Sequence, residues 1–138
     1  MSSDPGAGAL LAREAASFVA RLRLFTPPRW QAGAPPHGTR ADAVHHLAQW
    51  LADAVGETPV RLPRLDSDLA LPDQLAVTAD DLVRSGRAGD ELLADAVAHV
   101  LLHRRELLDE PVPTGLVAAL GEADERALLR RARSVCAS

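Results

Sequence analysis

Apolar residues in this chain recur at three- and four-residue spacing in separate stretches, and prolines and glycines crowd the gaps between them. That period places one stripe of a helix against a core, whereas a half-buried strand needs alternation by two. "ALLAREAASFVARLRLF" predicts a first helix over residues 9–25, with Leu11, Ala15, Phe18, Leu22 and Phe25 on one stripe. "TPPRWQAGAPPHG" ends it, because consecutive prolines remove donors and force extended backbone. Trp30 in that loop is large enough to close the end of a core or to line a pocket. Thr39 and Asp42 have capping-box spacing at the head of a second helix, 40–55, which Gly56 stops. The connector "ETPVRLPRLDSDLAL" contains one segment, "PVRLP", that could be extended, with no second strand to pair with it. A third helix spans 72–84 and a fourth 90–109, separated by the turn "SGRAGD". Thr114 can cap a C-terminal helical segment that Gly121 interrupts, leaving "EADERALLRRARSV" as an amphipathic tail. The pattern predicts an all-α fold: an up-down four-helix bundle with an additional C-terminal helical segment, residues 9–138 forming one domain after a flexible 1–8.

Composition narrows the function. The 138 residues suit one domain, which buries roughly two-thirds of its unfolded surface. A net charge of −4, no Tyr and few other aromatics argue against nucleic acid as a partner, since base-stacking surfaces are lacking. All 15 basic residues are Arg, and Lys, Ile, Asn and Tyr are absent. Those four have AT-rich codons, so the bias points to a GC-rich genome such as an actinobacterium's and says nothing of chemistry. "MSSDPGAGALLAREAASF" has no basic leader, Arg13 and Glu14 break its apolar stretch, and no apolar run approaches the roughly 18 residues of a membrane span. The lone Cys136 cannot form an internal disulfide, which fits a reducing cytoplasm. It reads as a small residue in a fraying tail.

The histidines carry the chemistry. His37 falls in a loop, His45 and His46 on the second helix, and His99 and His103 on the fourth. An i,i+4 pair lies about 6 Å apart along a helix with both rings on one face, so His99 and His103 can reach one cation. On the second helix His46 falls at the edge of the apolar arc beside Trp50, and His45 turns towards solvent. His46, His99 and His103 are thus expected at the rim of the core, and helices 8–10 Å apart could bring the three rings together. Asp42 and Asp95 each precede a candidate ligand by four residues, where a carboxylate could hold a ring N–H. The alternative is that the rim histidines each make one hydrogen bond and nothing more, with Asp42 only capping its helix.

Three segments carry a family resemblance. "TRADAVHHLAQW" (39–50) resembles the second helix of the DinB-like and mycothiol-dependent maleylpyruvate isomerase superfamily, where a metal-binding His is followed by Leu-Ala and often Trp. "HVLLHRREL" (99–107) is similar to its last bundle helix, and "TPPRW" (26–30) to the Pro-rich approach of the isomerase branch. The resemblance implies a four-helix bundle holding zinc or nickel on His46, His99 and His103, with an open position that a low-molecular-weight thiol occupies. The interval from His46 to His99 is shorter than is usual there, and Arg104, Arg105 and Glu106 replace a common Arg-Gly-Gln.

Three neutral histidines and one open position make a catalytic rather than a structural centre. The expected function is therefore a divalent-metal-dependent transferase or isomerase using a thiol cosubstrate. Arg104, in the middle of an apolar arc, could clamp a substrate carboxylate, or lay its stem on the core with its head in water. Trp50 would line the same substrate pocket. The other reading is a non-catalytic scaffold that kept the bundle and lost the metal. Its tail, with Leu128, Leu129 and Val135, would offer a self-association surface for a homodimer.

Overall fold

The computed structural model describes residues 6–56, 61–64 and 67–137. Seven α-helices account for most of them: α1 (Ala7–Leu22), α2 (Pro27–Gln31), α3 (Arg40–Val55), α4 (Leu71–Arg84), α5 (Asp90–Leu108), α6 (Thr114–Ala119) and α7 (Glu125–Ala137). A 3₁₀ turn, Asp68–Ala70, leads into α4. Among the described residues there is no strand, and one isolated bridge joins Gly33 to Thr39. The fold is all-helical, and no described helix is long and apolar enough to cross a membrane.

The four long helices enclose one core. α1 lies against α4 and α5, α3 lies against the same two, and α7 docks along α5. Each inner stripe is the one the spacing marks: Leu11, Ala15, Phe18 and Leu22 on α1, Val44, Leu47 and Leu51 on α3, Leu75, Ala79 and Leu82 on α4. Each buried Leu contributes about 1.5–3 kcal/mol of transfer free energy. Helix α5 differs. Neighbours on three sides bury it without a break from Ala96 to His103, the all-round burial of a central helix rather than the one-sided burial of a surface helix.

Several boundaries depart from expectation. α1 begins at Ala7 and ends at Leu22, so Phe25 lies beyond it yet remains buried against Trp30, ring centroids 4.9 Å apart. Residues 27–31, expected as broken chain, form α2, because Pro27 and Pro28 occupy first-turn positions where a missing N–H costs nothing. The extended stretch expected around "PVRLP" falls partly outside the described residues, and Arg61–Arg64 carry no regular structure. Gly121, at φ 74°, separates α6 from α7 as its position suggests. The tail is no appendage: Leu128, Leu129 and Ala132 belong to the main core.

Candidate metal centre

The site is assembled from three places in the chain. The first is the turn before α3. Thr39 caps the helix: its hydroxyl accepts from Asp42 N at 3.1 Å, and Asp42 Oδ2 accepts from Thr39 N at 3.0 Å. The chain upstream folds back through Ala34 N to Gly38 O (2.7 Å) and Arg40 N to Ala32 O (2.8 Å), which fixes His37 beside the head of α3. Gly38 has a φ of 93°, and a Cβ there would lie 2.7 Å from Asp42 Oδ2, so the turn requires glycine. One and a half turns into α3, His46 meets His37, ring centroids 4.4 Å apart.

The second place is the buried middle of α5. His99 and His103 project inward on one face, ring centroids 4.8 Å apart. His99 lies 6.0 Å from the His46 ring and His103 lies 5.8 Å from that of His37, so four imidazoles close a circuit. The His103 Nδ1 proton is donated to the His99 carbonyl at 3.0 Å, which leaves Nε2 carrying the lone pair. His103 Nε2 and both His99 ring nitrogens are buried without a hydrogen-bond partner. Such orphaned polar atoms each cost about 1–3 kcal/mol. Trp50 presses on the His99 ring edge-on at 5.1 Å.

The third place is α7. Arg131 pins this helix to α5, donating to Asp95 at 2.6 Å and to the Glu91 carboxylate at 2.9 Å, with Glu122 at 3.2 Å. Five residues on, Cys136 Sγ stands 3.5 Å from His46 Nε2 and 3.6 Å from His37 Nε2. Ligand atoms of His37, His46 and Cys136 all fall within 4.8 Å of one another. A cleft of about 250 Å³ opens beside them, lined by His37, His103, Cys136, Glu106 and Arg133.

Electrostatics keep the cluster neutral. Burial pushes His99 down to about 3, helped by the mutual repulsion of the His103 and His46 rings. Burial takes His103 to about 4 against the pull of the His99 carbonyl and, more weakly, of the Ala43 carbonyl. His46 and His37 are lowered by burial as well. Burial, then the Glu106 carboxylate, raises the Cys136 thiol. At neutral pH the imidazoles therefore present lone pairs, the form that binds a divalent cation.

The expected residues fare differently. The His99 ring lies 6.0 Å from that of His46 and 4.8 Å from that of His103, but among the described residues the ligand atoms within reach of one cation are those of His37, His46 and Cys136, not of the expected triad. His99 and His103 are not rim residues either: they are 0% and 2% exposed, on a helix packed by α1, α3 and α7. Neither carboxylate holds a ring N–H. Asp42 is taken up by the cap, with Arg64 at 3.5 Å, and Asp95 by Arg131. The outer hydrogen bond on His103 comes instead from the His99 carbonyl. Arg104 does not line the cleft: Glu14 (2.5 Å) and Glu110 (2.6 Å) hold its guanidinium. Trp50 touches His99 but does not line the cleft. His37 and Cys136 were missing from the sequence-derived set. Cys136 had a readable signal, since Leu129, Ala132 and Cys136 follow the three- and four-residue spacing of the buried stripe of α7.

No protein-family model matches the chain, and neither the curated proteins nor the solved structures contain a match to it.

Proposed function

We propose that this chain is a DinB-like up-down four-helix bundle, extended by α6 and α7, whose imidazole cluster binds zinc or nickel and serves a thiol-cosubstrate transferase or isomerase reaction of the mycothiol type. One observation carries the reading: His99 and His103 lie buried with ring nitrogens unpartnered, and the His99 carbonyl fixes the His103 tautomer with the lone pair on Nε2. A fold loses stability by such an arrangement unless a further group satisfies it, and metal-binding histidines have this second-nitrogen anchor. When bound, the cation would deprotonate a thiol or lower the pKa of a water towards 7. The chain's own groups would do the rest. The packing of α5 keeps water from the inner rings, and the cleft admits a small substrate. Arg133, 59% exposed at the cleft and 4.0 Å from Glu106, can take a carboxylate in the role expected of Arg104. The scaffold reading has less behind it, because Leu128 and Leu129 are buried within the chain and so are not available to a partner.

The test is metal content by mass spectrometry after untagged purification from metal-replete cells. About one equivalent of zinc or nickel per chain is expected, and His103→Ala should lose it. A folded native chain that takes up neither metal refutes the proposal.

A further inference from the structure

We propose that Cys136 is a cation ligand supplied by the chain itself, which with His37 and His46 forms the outer half of the centre and closes the position an external thiol would take. The inference rests on the imidazole cluster being a cation site, and goes beyond it in assigning two further ligands and a cap. The first support is metric. A tetrahedral cation with sulfur at roughly 2.3 Å and imidazole nitrogen at roughly 2.0–2.1 Å holds those two atoms about 3.6 Å apart. Cys136 Sγ lies 3.5 Å from His46 Nε2 and 3.6 Å from His37 Nε2. Both sulfur–nitrogen distances match that span, and the ligand atoms of the three residues all lie within 4.8 Å of one another, so one cation can reach all of them.

The second support is independent of the cysteine. The unpartnered His103 Nε2 is buried and belongs to the wall of the same cleft as Cys136. His103 and two of the outer trio, His37 and Cys136, thus border one cleft. The donor chemistry selects the ion. His37, His46 and Cys136 offer two imidazoles and a thiolate, with no carboxylate in the group. Such a set suits zinc or cobalt and not magnesium, calcium or manganese, which prefer oxygen. With Cys136 bound, the centre has the closed character of a structural site. Lifting the end of α7 would open one position beside the cleft, so the last helix acts as an internal competitor for any thiol cosubstrate.

Cobalt(II) substitution of the full-length, untagged chain tests this. The wild type should show an intense near-ultraviolet thiolate-to-cobalt charge-transfer band. Cys136→Ser and Cys136→Ala should lose the band yet still bind cobalt, more weakly than wild type by more than the roughly 10–100-fold that loss of an outer hydrogen bond costs. His37→Ala should weaken binding while keeping the band. His45→Ala, whose ring nitrogen bonds the Leu62 carbonyl at 3.3 Å, should change neither. Cobalt bound without the band would overturn the assignment of Cys136 and leave the proposed function standing. A native chain that binds no cobalt would remove both.

Discussion

Arg104 illustrates how one side chain can be read correctly in place and wrongly in purpose. Its position inside the apolar arc of α5 is visible from the spacing, but its partners come from α1 and the α5–α6 connection, which no local pattern reveals. Arg21 Nη1 also lies 3.0 Å from Glu110, a charge contact without hydrogen-bond alignment. Arg104→Ala leaves Glu14, 7% exposed, without its main partner, so the urea midpoint should correspond to a loss of about 3 kcal/mol. Metal stoichiometry should be unaffected, since Arg104 does not line the cleft and its guanidinium is held by Glu14 and Glu110. A second residue-level expectation concerns acid. His99 and His103 titrate at about 3 and about 4 in the fold against the ordinary 6.5 of the unfolded chain. Below pH 6.5 the unfolded state binds protons that the folded state refuses, so stability falls as pH falls towards 4. By pH 5 the loss should be on the order of 2 kcal/mol per ring in metal-free protein. Urea titrations at pH 7 and pH 5 that gave equal midpoints would contradict buried neutral rings.

At the scale of elements, sequence periodicity located every long helix, and the capping box named the first residue of α3 correctly. Element ends were less legible. α2 escaped because a proline pair signals chain breakage and helix initiation alike, and only packing of Trp30 decides between them. The docking of α7 was illegible for a different reason: an amphipathic stripe says that a helix must be covered without saying by what. That omission propagated to the site, since the docking of α7 is what brings Cys136 to His37 and His46. Two predictions belong here. Gly38→Ala should cost about 1–3 kcal/mol through its positive φ, and it should also weaken cation binding by shifting His37. Arg131→Ala removes the clamp between α7 and α5. In metal-free protein Cys136 should then react faster with a thiol reagent than in wild type, and an unchanged rate would show that apolar packing alone seats the helix.

On the scale of the whole molecule, α5 is the axis on which α1, α3 and α7 converge, and both inner histidines sit in its fully enclosed stretch. Leu128, 0% exposed, is therefore a core residue and not an oligomer contact. Leu128→Ala should destabilise the chain by about 2–5 kcal/mol, with no change in sedimentation behaviour. One distance in the chain has a larger consequence. His37 and Cys136 are 99 positions apart and their side chains touch. A cation gripping both would act as a reversible staple, tying a loop of more than two-thirds of the chain and subtracting from the unfolded ensemble a freedom that a covalent crosslink of that span would remove at about 4.7 kcal/mol. Chelation would then cost the protein far more than the local site suggests, and its melting temperature would report the free zinc of its surroundings.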